Sequence, residues 1–182
     1  MTTTLFRPML TIKRATLLFL LVSMPTLAFA GEIVDSTAAL VAAVRSGAEG
    51  ATIEIAAGTY VGDLIIDRPI SLVGIGRPVL VGSGTGSVIR VRAADVTLEG
   101  LAIDGRGGGD LARDTSGIHV AAPRVTIRDC HITRSLFGIY LREADGARVE
   151  HSVVHGIPGL APGEKGSGIH VWNTDGFTLI GN

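Results

Sequence analysis

The chain has 182 residues, 46% of them hydrophobic but only 4% aromatic, with 25 glycines and one cysteine. Three of the 16 basic residues and none of the 17 acidic ones fall in the first thirty, so residues 31–182 carry a net charge of −4, which excludes a broad cationic footprint for nucleic acid. Cys130 has no partner for an internal disulfide, and all three methionines, Met1, Met9 and Met24, lie in the first thirty residues, so no thioether cluster for soft Cu(I) exists beyond them.

In chain order, Arg7, Lys13 and Arg14 precede an apolar run over 15–27, and Ala28-Phe29-Ala30 places small residues where a signal peptidase reads them. Residues 1–30 therefore read as an export signal cut after Ala30, and Pro25 with the limited apolar length argues against a membrane anchor. This predicts a periplasmic location. Residues 31–51 form a capping helix and linker: Asp35 or Ser36 is the N-cap, 37–45 is amphipathic, and Gly47 ends it. The expected role of this helix is to cover the open first coil of a repeat array.

Residues 52–182 are repetitive. Strand-like segments at 52–55, 57–60, 64–66 and 70–72 lead into copies of two units, a Gly-Ile-x-aliphatic unit and an aliphatic-x-aliphatic-x-x-x-x-aliphatic unit. Gly117-Ile118-His119-Val120, Gly138-Ile139-Tyr140-Leu141 and Gly168-Ile169-His170-Val171 are copies of the first, with a fainter Val88-Ile89-Arg90-Val91 upstream. Aligning Leu98, Ile127, Val149 and Leu179 in the second gives steps of 29, 22 and 30 residues, a solenoid period. The two long steps are explained by Gly-rich, charged insertions at 105–116 and 156–167 in a coil of about 22 residues. Alternation puts Ile118 and Val120 on one face and His119 on the other, and stacked coils bury continuous aliphatic rows. Crossover helices of an α/β domain do not fit the short, Gly-rich segments between strands. The last copy breaks off at Asn182, which predicts repeats truncated at the C-terminus.

The helix and then Ile53-Glu54-Ile55-Ala56-Ala57-Gly58-Thr59-Tyr60 with repeated aliphatic pairs resemble the pectin-lyase-like right-handed parallel β-helix family, in its carbohydrate-binding and sugar-hydrolase-like branch. The resemblance covers 32–182. Closer still, Lys165-Gly166-Ser167-Gly168-Ile169-His170-Val171-Trp172 with Gly181-Asn182, residues 124–132 and the exported leader resemble the NosD family of periplasmic β-helix proteins. That resemblance implies an accessory component of a copper-related ABC transport system that assists maturation of the copper centres of nitrous oxide reductase. It implies an ABC permease and ATPase, a copper chaperone and the reductase as partners, and copper as the metal handled, with no intrinsic cofactor evident.

Candidate chemistry is sparse. Acids such as Asp104, Asp110, Asp114, Asp129 and Glu150 do not recur at equivalent coil positions, so neither a carboxyl pair for glycoside hydrolysis nor a Ca²⁺ cluster with a base is assigned, and no catalytic residue is named. Asp104-Gly105 reads as a turn, and Cys130 reads as a small core residue in a strand. His119 and His170 share an outward slot with Tyr140 between them, so the imidazoles stand roughly twice the ~4.8 Å strand spacing apart. As metal ligands they need a partner or loop to complete a site, since metal–nitrogen bonds are about 2 Å. Tyr140, Trp172 and Asn173 are candidate surface contacts, with Trp172 expected to form a platform beside Tyr140. Two other classes stay open: an exported polysaccharide-binding or polysaccharide-degrading β-helix whose partner is carbohydrate, and an adhesin-like β-helix.

Overall fold

The structure is a computed structural model that describes residues 32–182; the export signal expected over 1–30 lies outside the described residues. A first strand, β1 (Glu32–Val34), precedes helix α1 (Thr37–Ser46). The first coil is β2 (Thr52–Ile55), β3 (Thr59–Val61) and β4 (Leu64–Ile66), and the second is β5 (Ser71–Gly74), β6 (Val79–Val81) and β7 (Ile89–Val91). The third coil is β8 (Thr97–Glu99), β9 (Ala102–Asp104) and β10 (Ser116–Val120), and the fourth is β11 (Thr126–Arg128), β12 (His131–Ser135) and β13 (Phe137–Arg142). A fifth is β14 (Arg148–Glu150), β15 (Val153–Gly156) and β16 (Ile169–Trp172), with β17 (Thr178–Ile180) opening a sixth. Corresponding strands pair in parallel to make three sheets, ordered β1-β2-β5-β8-β11-β14-β17, β16-β13-β10-β7-β4 and β15-β12-β9-β6-β3. This is a right-handed parallel β-helix.

The register is the one the spacing predicts. Leu98 pairs with Ile127, Ile127 with Val149, and Val149 with Leu179, so unequal steps along the chain become equal steps along the axis. Leu72, Leu98, Ile127 and Val149 are fully buried in one row of the core. Such a row is where coils share their stability, because each coil covers only one side of its own apolar face.

At the N-terminal end, Ser36 caps α1 by accepting from the Ala39 amide at 3.2 Å, and Gly47 ends the helix with its N–H on the Ala43 carbonyl. Leu40, Ala43 and Val44 are buried against the first coil. Strand β1 lies within 31–51, where the sequence pattern gives only a helix and a linker. It pairs with β2, and the buried Tyr60 hydroxyl anchors it by donating to the Val34 and Ala56 carbonyls at 3.0 and 2.8 Å. A three-residue strand has too little pattern to announce itself; its pairing is tertiary.

Two columns of left-handed backbone turn each coil. One is Asp95, Arg124, Gly146 and Gly176, and the other is Gly100, Asp129, His151 and Gly181, with φ between 49° and 69° throughout. Non-glycine residues at such φ cost about 1–2 kcal/mol, which the stacked corners over-determine. Just inside the second column stand Leu101, Cys130, Ser152 and Asn182, and the polar members bond the coil below: Ser152 Oγ accepts from the Cys130 amide at 3.2 Å, and Asn182 Oδ1 from the Ser152 amide at 2.9 Å. Cys130 thus packs in the core as expected, but at a corner between β11 and β12 rather than in a strand. Burial pushes its thiol up to about 11.

The recurrent glycine of the Gly-Ile units has a different cause. Gly117, Gly138 and Gly168 do not sit at left-handed φ. A Cβ on Gly117 would overlap Ile132 Cγ2, and one on Gly138 would overlap Val154 Cγ1 and stand 2.5 Å from the Gly168 carbonyl oxygen. At Gly117 and Gly138 the strand runs too close to the neighbouring sheet for any side chain.

Candidate functional site

The outward residues of the five-stranded sheet β16-β13-β10-β7-β4 fall into one line, Ile65, Arg90, His119, Tyr140 and His170, each opposite the next. His119 stacks on Tyr140 with ring centroids 5.2 Å apart and planes 14° from parallel, and Tyr140 stacks on His170 at 4.7 Å and 29°. Phe137 meets both Tyr140 and His170 edge-on, at 5.2 and 5.3 Å. Tyr140 therefore lies between the imidazoles, which are two strand spacings apart. No single ion with bonds near 2 Å joins them directly. Among the described residues no group of three or more His, Cys, Asp or Glu side chains is placed to hold a metal ion.

The slot points outward but is largely covered. His119 is 5% exposed and Tyr140 6%, whereas His170 is half-buried. The cover comes from the 105–116 insertion, where a 3-10 turn at Leu111–Arg113, capped by Asp110 Oδ1 on the Ala112 amide at 2.9 Å, ends in the left-handed Asp114. Asp114 lies close to both rings, near enough for its charge to act on His119 and on Tyr140. Burial, then the charge of Arg90, holds His119 below the ordinary imidazole range, with Arg142 acting the same way and Asp114 opposing them. His119 Nδ1 is buried without a hydrogen-bond partner among the described residues. Sequence periodicity assigns a residue to the outer face but does not tell whether a loop lies on that face, so the covering of His119 and Tyr140 is not legible in it.

Trp172 is 46% exposed, and its neighbour is not Tyr140. Register sets Trp172 opposite Arg142, whose Cζ lies 4.9 Å over the indole ring, a cation–π pair. The expected Trp–Tyr platform is thereby corrected, because alternation separates Tyr140 and Trp172 by one outward step along adjacent strands. Asn173 comes next, at a left-handed φ of 46° on the exposed corner. Asp104 does make a turn, accepting from the Arg106 amide at 2.8 Å, and also grips Arg134 of the next coil through both carboxylate oxygens. That pairing holds its carboxyl below the usual range.

Both insertions leave the helix at one corner, between the β9/β12/β15 sheet and the β10/β13/β16 sheet. In the coil between them the same connection is Leu136 alone, between β12 and β13. The two loops thus flank a notch floored by Ser135 and Leu136. Gly109 of the first loop approaches the Leu136 side chain, and Gly166 of the second packs against the Leu136 carbonyl. Next to it His131 and His155 meet edge-to-face at 5.5 Å, a pair that spacing alone does not suggest.

Fold and site together define a right-handed parallel β-helix protein that displays an aromatic and imidazole ladder and a loop-flanked notch. Over 130 residues the chain is 30% identical to the "Probable ABC transporter binding protein NosD" of Pseudomonas aeruginosa, a match covering 70% of this chain and 30% of that protein. It is 27% identical over 128 residues to the protein of the same name from Stutzerimonas stutzeri, covering 69% of this chain and 29% of that one. The chain is NosD-like, and the matched segment spans about 30% of the length of these curated relatives. No protein-family model and no solved structure matches it.

Proposed function

We propose that this chain is the β-helix part of a periplasmic accessory component of an ABC transport system that assists the loading of copper into nitrous oxide reductase. The observation that carries the reading is the NosD similarity over 130 residues, which runs through a β-helix whose outer face is shaped by loops. In this reading the protein acts as a docking body for the permease, the copper chaperone and the reductase. Copper is cargo. His170, the half-buried member of the ring stack, contributes at most one ligand to a copper site that a partner completes, and His119 stays structural beneath its loop.

The test is a deletion strain in which the exported reductase is purified and its copper content and activity are measured. The expected outcome is exported, copper-deficient, inactive enzyme, restored by the wild-type gene. Fully copper-loaded reductase from the deletion strain refutes the role.

A further inference from the structure

The notch beside the second insertion is a cleft of about 640 Å³, within the ~300–1,000 Å³ range of pre-formed ligand sites. Its floor is the short corner of Ser135 and Leu136, and its far wall is the 156–167 loop. Leu136, Ile157 and Leu160 give it an aliphatic side, while Arg134, His155 and Lys165 stand on its polar side.

The charge pattern is the informative part. Residues 31–182 are net acidic, yet no Asp or Glu lines this cleft. Of the neighbouring carboxylates, Asp104 pairs with Arg134 and offsets its charge, which leaves Lys165 as the unpaired cation, and Glu164 turns back to accept from the Ala161 amide at 3.1 Å. Lys165 is the one lysine among the described residues and makes no ion pair with any of them. A cation set beside an aliphatic wall, with no competing carboxylate, is complementary to a ligand that carries a negative charge next to a branched apolar group. No aromatic ring other than the His155 imidazole lines the cleft, so it offers no flat apolar platform for a sugar ring, and an aliphatic side chain is the better fit.

We propose that this cleft is a docking site for an acidic peptide segment of a partner protein, seating an aliphatic side chain against Leu136, Ile157 and Leu160 with an adjacent carboxylate on Lys165. The cleft deepens the docking role proposed above and rests on it. The two inserted loops hold its geometry from both sides, through Gly109 and Gly166 on Leu136, so little ordering is needed on binding.

Fluorescence polarisation on the full chain tests this, with a labelled Asp-Leu-Asp-Leu-Glu peptide, its charge-inverted Lys-Leu-Lys-Leu-Lys counterpart, and trigalacturonate as a competitor. The acidic peptide should bind, the inverted one should not, and Lys165→Glu should weaken binding at least tenfold while leaving the thermal melt unchanged. Leu160→Asp, on the exposed loop, is a second variant with the same expected loss. The inference is overturned if the acidic peptide fails to bind at about 1 mM, a ΔG no better than about −4 kcal/mol. It is equally overturned if the two peptides bind alike, if Lys165→Glu changes nothing, or if trigalacturonate displaces the peptide at lower concentration. In the deletion strain, a Lys165→Glu allele that restores full copper loading overturns the cleft and leaves the maturation role standing. Full loading without any allele overturns the role, and the peptide titration then decides the cleft alone.

Discussion

Gly138 and Gly168 occupy the same motif position in adjacent coils, yet alanine should have opposite effects at the two sites. At Gly138 the new methyl overlaps Val154 Cγ1 and lies 2.5 Å from the Gly168 carbonyl oxygen, and neither the β-branched side chain nor that carbonyl, which accepts from the Ile139 amide at 2.9 Å, can withdraw without breaking register. Overpacking of a closed core costs about 1–3 kcal/mol, and a clash with backbone places this variant near the upper end, so Gly138→Ala should lose about 3 kcal/mol. At Gly168 the nearest atoms, Val154 Cγ1 and Cβ, are 3.9 and 4.0 Å from an ideal Cβ, an ordinary van der Waals contact. Gly168→Ala should therefore be neutral or stabilise by about 0.4–1 kcal/mol through the reduced freedom of the unfolded chain. Urea denaturation of the two variants beside wild type, monitored by far-ultraviolet circular dichroism at fixed slope, measures the difference. Equal midpoints for the two variants would refute close approach as the reason for the motif and point instead to a shared backbone requirement.

Three further outcomes are expected. His119 is held neutral by burial and Arg90, so the unfolded chain takes up its proton first: the stability present above about pH 6.5 is lost as pH falls through the lower folded value. His119→Phe should flatten that part of the loss between about pH 7.5 and 5, the range that spans imidazole titration, and an unchanged pH profile of the melting temperature would count against the burial argument. Cys130, buried and with its thiol raised to about 11, should resist Ellman's reagent at about pH 8 in the native state and react at once in urea; rapid native labelling would mean that the corner opens. Thr174→Val removes the hydroxyl that accepts from the Ala144 amide at 3.0 Å, stranding a buried N–H at a cost of about 1–3 kcal/mol, whereas Arg124→Ala, which cuts an exposed ion pair to Asp95, should leave the urea midpoint unchanged.

The order of aliphatic residues carries most of the fold. Spacing alone places Leu98, Ile127, Val149 and Leu179 in register, because one face of every coil must be apolar and that requirement repeats along the chain whatever the loop lengths between. The cap is equally legible, since Ser36 and Gly47 satisfy backbone groups that any helix of this length leaves exposed at its ends. Corner residues are not: Arg124, Asp129 and His151 stand at left-handed φ where glycine would be the local choice, and only the neighbouring corners hold them there. The site divides in the same way. Alternation along each strand determines that His119, Tyr140 and His170 form one outward line. Tertiary structure alone decides that a loop from the preceding connection buries the first two, that Arg142 rather than Tyr140 meets Trp172, and that two insertions about fifty residues apart converge on Leu136. Periodicity is a property of a segment, and covering is a property of two segments that meet in space.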